Sequence, residues 1–214
     1  MGMGASLSMN GSRPARWFAL ALIGLGLAIA PARADVQDPE VARIAAAGHS
    51  LKWNWTPPGQ SERYGHAETL IHAGLPDVRK EVLDFPRYRD FVPGKFKTSR
   101  VVAHGDDGST DVYLQIAVLH GMVTLWDVTR FSAPRNIGPG IEVLAGRMVP
   151  GKGNVDDFDV TWTLRAVDDE WTFLKFDMLL KPGLPAPRWA IDEELRDCAM
   201  YAVDAVHDRL QQGR

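Results

Sequence analysis

Apolar and polar side chains alternate over three segments in the second half of the chain. In each segment every second residue is apolar, and most of the residues between them are polar. The apolar rows are Phe158, Val160, Trp162 and Leu164; Leu174, Phe176, Met178 and Leu180; and Val112, Leu114, Ile116 and Val118. Because successive side chains of a β-strand point to opposite faces, such rows predict a sheet with one covered face and one face in water. We expect the Trp162 ring to point to the covered side.

Turn residues separate the further predicted strands. The clearest turn is Gly105-Asp106-Asp107-Gly108, which is typical of a hairpin. Asp38-Pro39-Glu40 predicts the start of a short helix that ends at Gly48, and we expect Asp77 to cap a second helix over Val78–Phe85. Strands are predicted over His49–Trp55, Arg63–Ala73, Val101–His104, Asp111–Leu119, Met122–Phe131, Ile141–Val149, Val155–Val167 and Trp171–Lys181.

The last predicted element is a long helix over Trp189–Leu210. Its apolar residues recur at steps of three and four and form a single stripe, made of Ile191, Leu195, Cys198, Ala199, Ala202, Val206 and Leu210. An apolar stripe on a helix and the covered face of a sheet bury each other. The sequence therefore predicts an α+β fold, in which a curved antiparallel sheet wraps around one long C-terminal helix.

Residues 1–34 have the three parts of a secretory signal in the right order. Arg13 and Arg16 give a positive start, Trp17–Ala30 is an apolar run, and Ala32-Arg33-Ala34 matches the small-x-small cleavage pattern. The alternative is a retained membrane anchor, but a span needs roughly 20 apolar residues and this run is shorter. We predict cleavage after Ala34 and a periplasmic or secreted protein.

The rest of the chain is long enough for a single domain. After cleavage 214 − 34 = 180 residues remain, and we divide them into an N-terminal helix and strand extension (residues 35–61) and the main domain (residues 62–214). The three arginines of the signal are lost, which leaves 21 basic against 27 acidic residues. This balance disfavours a nucleic-acid partner. Cys198 is the only cysteine, so it cannot form an internal disulfide.

Two segments near the start of the predicted domain resemble a known superfamily. They are His66-Ala67-Glu68-Thr69-Leu70-Ile71-His72-Ala73, and Val82-Leu83-Asp84-Phe85-Pro86-Arg87-Tyr88-Arg89-Asp90-Phe91-Val92-Pro93 with Val78 before it. Together they resemble the opening of START-like (SRPBCC) domains, most closely the polyketide cyclase/dehydrase and coenzyme Q-binding group. The segment Pro182–Trp189, which leads into the last helix, is similar to that of exported members. The resemblance covers about residues 48–211.

The resemblance implies a helix-grip fold with an elongated apolar cavity between the sheet and the C-terminal helix. Relatives bind sterols, lipids, quinones, polyketides or plant hormones, and a minority catalyse cyclisation or dehydration. A fold shared by binding proteins and enzymes does not by itself select one activity.

The residues give no sign of a catalytic or metal site, and we predict no cofactor. His66, Glu68 and His72 share one strand face, but strand residues six positions apart lie about 20 Å apart and cannot hold one ion. We interpret that face as solvated. Asp127 and the arginines Arg130 and Arg147 interrupt apolar strands. We expect them to face water, although one or two of them could reach a cavity and bind the head group of a ligand.

Aromatic and flexible apolar side chains carry the functional prediction, because they suit an adaptable pocket for an apolar molecule. A filled core would use the same residues. The predicted ligand-binding residues are Tyr88, Phe91, Trp126, Phe158, Trp162, Phe176, Met178, Trp189 and Leu195. We expect an exported carrier or sensor of a hydrophobic small molecule, with a membrane surface as the place of ligand exchange. The alternatives are a cyclase/dehydratase-type enzyme and a protein-interaction module with a vestigial cavity.

Overall fold

Nine strands and a long C-terminal helix make up most of the computed structural model, which describes residues 38–91, 95–118 and 121–212. The predicted signal peptide lies outside these residues. The helices are α1 (Pro39–Ala47), α2 (Leu75–Val82) and α3 (Arg188–Gln212), with a 3-10 helix over Phe85–Asp90. The strands are β1 (Leu51–Trp55), β2 (Tyr64–Ile71), β3 (Phe96–His104), β4 (Thr110–Val118), β5 (Val123–Phe131), β6 (Arg135–Gly138), β7 (Ile141–Gly153), β8 (Val155–Ala166) and β9 (Thr172–Pro182).

The strands form one antiparallel sheet in the order β1-β2-β9-β8-β7-β5-β4-β3, and β6 pairs with β7 beside this path. The three alternating rows are confirmed, since each places its apolar residues on a single covered face. Two strands differ clearly from prediction. Strand β3 begins five residues before Val101, because the polar segment from Phe96 pairs along the edge of the sheet. Strand β6 was not predicted, since its four residues are mostly exposed and carry no apolar row.

Capping residues and prolines near their ends determine where the two short helices begin and end. The Asp38 carboxylate accepts hydrogen bonds from the backbone N–H groups of Glu40 and Val41, at 2.9 and 3.4 Å, and Gly48 ends α1 with a φ of 68°. The prediction for the second helix is wrong in its start. Helix α2 begins after Gly74 with a proline in its first turn, and Asp77 lies inside that turn. Proline is common in the first turn of a helix, because the backbone N–H that it lacks would have no partner within the helix there.

Helix α3 packs on one face of the sheet, which we call the inner face. Its buried residues are Leu195, Ala199, Ala202, Val203, Ala205 and Val206. Small residues let the helix approach closely, most of all at Gly65 of β2. A side-chain carbon at Gly65 would collide with the backbone carbonyl of Leu195. The predicted α+β arrangement of a curved sheet around a C-terminal helix is therefore confirmed. No helix in the described part of the chain is long and apolar enough to cross a membrane.

Helix α1 packs on the opposite, outer face. Val41 and Ile44 form a second small core with Phe173, and Arg43 pairs with Glu68. The solvated face expected for His66 and Glu68 is therefore wrong: the two residues are only 6% and 0% exposed. The alternation within β2 predicted two faces correctly, but it carried no information on which segment of the chain covers each of them.

Candidate functional site

Two small apolar cavities lie between the inner face and α3. The first cavity, of about 30 Å³, is lined by Val123, Leu125, Met178, Leu184, Ile191 and Leu195 among others. The second cavity, of about 40 Å³, is lined by Tyr88, Phe91, Leu114, Phe158, Trp162 and Phe176 among others. Both cavities touch Met178 and Cys198, so they adjoin. Ligand pockets usually hold roughly 300–1,000 Å³. The interior is thus nearly filled.

The structure brings most of the predicted ligand-binding residues together at these cavities. Tyr88, Phe91, Phe158, Trp162, Phe176 and Met178 line the second cavity, and Met178 and Leu195 line the first. Trp162 is 1% exposed and its ring centre lies 4.2 Å from that of Phe176, so the prediction that it points inward is confirmed. Whether these side chains contact a ligand stays a prediction.

Two predicted residues lie elsewhere. Trp126 is on the outer face, 5.9 Å from the ring of Tyr113, because its neighbour Leu125 takes the inward position in β5. Trp189 is 71% exposed in the first turn of α3, while the following Ala190 and Ile191 line the first cavity. Neither tryptophan lines either of the two cavities.

The 3-10 helix supplies one wall of the second cavity. The Tyr88 ring stacks on that of Phe91 at 4.5 Å, and the Tyr88 hydroxyl donates a 2.6 Å hydrogen bond to the Val82 carbonyl. Burial raises the pKa of the Tyr88 hydroxyl far above its usual value, so it stays protonated. The Trp162 indole Nε1 is buried beside this hydroxyl. The wall is therefore almost wholly apolar.

Ionisable side chains approach the first cavity at one place. Glu194 and Cys198 are one turn apart in α3, with 3.5 Å between the sulfur and a carboxylate oxygen, and Lys95 forms an ion pair with Glu194. Burial raises the pKa of the Cys198 thiol to about 12, so this thiol keeps its proton at neutral pH. A catalytic pair needs a base that is positioned to take a proton. Here the Glu194 carboxylate is paired with Lys95 instead. We interpret the pair as a structural contact between α3 and the segment before β3.

Of the three charged residues Asp127, Arg130 and Arg147, the first lies on the inner face, contrary to expectation. Asp127 is only 4% exposed, and Thr129 donates a hydrogen bond to its carboxylate. Burial raises the pKa of the Asp127 carboxyl to about 6. Arg130 and Arg147 do face water, as predicted. Asp127 is two residues after Leu125 in β5, so both side chains point to the inner face. The sequence of this strand alternates only weakly and did not show this.

A polar network that the sequence did not predict lies under β1 on the outer face. His66 Nδ1 is 2.7 Å from an Asp177 oxygen, and its Nε2 is 3.4 Å from a Glu68 oxygen. The Trp53 ring packs 4.1 Å from the imidazole, and the Trp55 indole donates to Asp177 at 2.6 Å. The only hint of this network in the sequence is the alternation of Trp53 and Trp55 in β1, which indicates a covered strand face. His66 and Glu68 are buried in this network, and it faces away from the cavities, which fits a structural role.

An outer cleft and a metal site have weaker support as functional sites than the two cavities. A cleft of about 740 Å³ lies outside the cavities, where α1 ends near the second half of α3, and its wall mixes polar and apolar groups that include His49, Ser50, Trp171 and Asp204. It is open to solvent and lacks a continuous apolar surface. In the ranges that the structure describes, no group of three or more His, Cys, Asp or Glu side chains could hold a metal ion.

Comparison with known proteins identifies the fold. No protein-family model matches the sequence, and no curated protein sequence is significantly similar to it. Solved structures do match. The STAR-related lipid transfer protein (fragment 25–204) of Xanthomonas axonopodis is 20% identical, with a TM-score of 0.64 and coverage of 76% of this chain and 93% of that chain.

Two further structures agree. The human StAR-related lipid transfer protein 5 is 9% identical, with a TM-score of 0.63 and coverage of 77% of this chain and 83% of that one. The Zhui aromatase/cyclase of a Streptomyces species is 17% identical, with a TM-score of 0.56 and coverage of 70% and 94%. Identities this low establish the fold only. With its curved sheet, its 3-10 helix and its C-terminal helix, this chain has the helix-grip fold of the START-like proteins.

Proposed function

We propose that this protein binds an apolar small molecule between the inner face of the sheet and α3, and carries it outside the cytoplasm. The observation that carries the proposal is the convergence of aromatic and aliphatic side chains on two adjoining cavities that share Met178 and Cys198. The similar structures, which are named as lipid transfer proteins and an aromatase/cyclase, agree with an apolar ligand. Burial of a chain of methylenes contributes roughly 0.8 kcal/mol for each group.

The cavities must widen when a ligand enters, because together they hold far less space than an acyl or isoprenoid chain needs. The first cavity lies under the start of α3, beside Val118 at the end of β4 and Val123 at the start of β5. The contact that crosses this region is the Lys95–Glu194 ion pair, in which each side chain is 18% exposed. When the pair separates, both long side chains can turn their charged ends into water, so neither charge has to stay buried. We place the ligand path here.

The rim of this path also carries the most exposed large apolar residues. Met122 and Trp189 are 80% and 71% exposed, and each is the sequence neighbour of a residue that lines the first cavity, namely Val123 and Ala190. Large exposed apolar surface marks sites of interaction with proteins or membranes. Tryptophan in particular suits the boundary between lipid and water. These residues support a membrane surface as the place where the ligand is exchanged.

Thermal unfolding with a panel of lipids tests the proposal. Ligand at a hundred times its Kd stabilises the native state by about 2.7 kcal/mol. We expect a quinone, sterol, fatty acid or phospholipid to raise the Tm of the wild-type protein, and native mass spectrometry of protein purified from the cell envelope to identify the ligand. In Ala190→Phe the new ring fills the first cavity and reduces the shift. Glu193→Phe, on the exposed side of the same helix, should behave as wild type. A shift with zinc or calcium and none with any lipid would contradict the proposal.

A protein-interaction module is the second candidate, because the interior is nearly filled and Met122 and Trp189 are strongly exposed. This candidate predicts that no lipid is bound to purified protein and that no lipid raises the Tm. It also predicts that Trp189→Ser abolishes binding to a protein partner without a change in stability. Bound lipid in the native mass spectrum would decide for the carrier.

A further inference from the structure

The outer cleft, where α1 ends near the second half of α3, is large enough to hold a small molecule. Its volume of about 740 Å³ lies within the usual range of ligand pockets, whereas the two inner cavities are far smaller. Gly48 ends α1 with a φ of 68°, and Ser50 follows just before β1. Both residues line the cleft, so the end of α1 and the start of β1 form one side of it.

The side of the cleft that α3 contributes is acidic. Asp204 and Asp208 both line the cleft, and residues four positions apart share one face of a helix. The Ser50 hydroxyl donates to an Asp204 oxygen at 2.5 Å, and His207 Nδ1 lies 3.1 Å from an Asp208 oxygen. In the part of the chain that the structure describes, no lysine or arginine forms an ion pair with either carboxylate, and none lines the cleft. Two neighbouring carboxylates therefore face this space without a lysine or arginine partner.

A tryptophan that is held in place gives the cleft an aromatic wall. Trp171 lines the cleft together with the apolar residues Leu70 and Met200. The Asp168 carboxylate accepts a 2.8 Å hydrogen bond from the backbone N–H of Trp171, and the His72 ring stacks on the indole with 4.5 Å between the ring centres. These contacts position the indole before any ligand arrives, which reduces the entropy that binding would cost.

We propose that the outer cleft binds a small organic cation, whose ammonium group contacts Asp204 and Asp208 and whose apolar part packs against Trp171. Carboxylates form strong hydrogen bonds with an ammonium group, and a tryptophan ring also attracts a cation. The two carboxylates repel an anion of the same shape. The net charge of the chain is −3, which adds to the attraction of a cation. This site is separate from the inner cavities and does not depend on the carrier function proposed for them.

NMR titration of the isotope-labelled protein with 2-phenylethylamine and with 3-phenylpropionate tests the proposal, because the two molecules have similar shapes and opposite charges. A hydrogen bond to a charged group corresponds to about tenfold or more in affinity. We expect the amine to bind at least about tenfold more tightly than the carboxylate. The resonances that shift should be those of Gly48, Ser50 and the Trp171 indole. In Asp204→Asn the amide oxygen still accepts from Ser50 but the charge is lost, so the affinity for the amine should fall about tenfold.

Two further variants separate this site from a general attraction of cations to an acidic protein. Glu193→Gln is the matched control, because it removes a carboxylate from the exposed side of the same helix, outside the cleft. It should keep the wild-type affinity for the amine. Trp171→Leu keeps an apolar side chain but removes the aromatic ring, and should weaken binding of the amine by about two- to fivefold.

Three results would overturn the proposal. They are equal affinity for the amine and the carboxylate, a loss of affinity in Glu193→Gln as large as that in Asp204→Asn, and the absence of saturable binding of the amine. If Asp204→Asn does not fold, Asp208→Asn takes its place, because the Asp208 side chain is 64% exposed and its replacement leaves the fold intact. The lipid panel is a separate measurement, so failure here leaves the carrier proposal standing.

Discussion

Replacement of Trp162 by alanine is the most direct test of how the interior is built. The indole is 1% exposed, packs 4.2 Å from the Phe176 ring and borders a cavity of only about 40 Å³. Its removal loses contacts that the neighbouring strand residues cannot replace, since they point to the other face. We therefore expect Trp162→Ala to lower the free energy of unfolding by about 3–5 kcal/mol, as for other buried aromatic residues. In a domain of this size that corresponds to a fall in Tm of roughly 6–20 °C.

Urea unfolding of the two proteins measures this loss, provided that the slope of the transition is the same in both. Thr163→Ala is the matched control, because Thr163 is the next residue and points to the outer face. Surface substitutions of this kind change stability by about 0.5 kcal/mol or less. A ligand that occupies the new space should restore part of the loss, since apolar cavities bind small aromatic molecules. Free indole should raise the midpoint of Trp162→Ala and leave the wild type unchanged.

The result that would refute this reasoning is a small loss. A change below about 1.5 kcal/mol, which is typical of an ordinary substitution, would mean that the Trp162 ring borders open space in solution. A large loss together with unchanged lipid binding in the folded fraction would make Trp162 a core residue that does not contact the ligand. The second cavity would then not be part of the binding site.

Three further predictions follow from features of the fold. Gly65→Ala should unfold the protein or displace α3, because the added carbon collides with the helix backbone, whereas Gly138→Ala meets no atom closer than 3.6 Å and should have the wild-type urea midpoint. Burial lowers the pKa of His66, but its hydrogen bonds to two carboxylates outweigh this and raise it overall. The stability that His66 contributes is thus fully present below its unfolded pKa, about 6.5, and is lost as pH rises through the folded value. The difference in urea midpoint between wild type and His66→Gln should shrink from pH 6 to pH 9, and a constant difference would contradict this. The exported protein should begin at Asp35 by intact mass, and a retained Met1 would contradict cleavage.

The alternating rows predicted the sheet well because each row records the same physical fact, that one strand face is covered. Phe158, Val160 and Trp162 on β8 point inward without exception. The stripe of α3 was equally informative, and the helix in the structure extends the predicted one by only a residue or two at each end. Both patterns span enough residues for their period to be distinct.

Positions near the ends of a pattern were harder to assign. Trp189 lies in the first turn of α3, and the apolar stripe of that helix starts two residues later. Trp126 is next to Leu125, which points inward, so Trp126 points outward. Both had been predicted to line the cavity only because they are large and apolar. Asp127 was assigned to water because it is charged, whereas the alternation of its strand turns it inward. His66 was assigned to water for another reason. The tryptophans that cover it belong to β1, and the sequence of neither strand shows that β1 pairs with β2.

The position of β2 in the sheet also determines the order in which the protein can fold. Strand β2 lies between β1, its neighbour along the chain, and β9, where Gly65 is paired with Met178. A two-stranded hairpin alone is at best marginally stable in water. The β1–β2 hairpin must therefore wait, with one edge unpaired, until nearly the whole chain has been synthesised, and pairing between such distant segments is slow. Its docking onto β9, together with the arrival of α3 over Gly65, is then the closing step of folding. A chain truncated before β9 would keep that edge open as a template for aggregation.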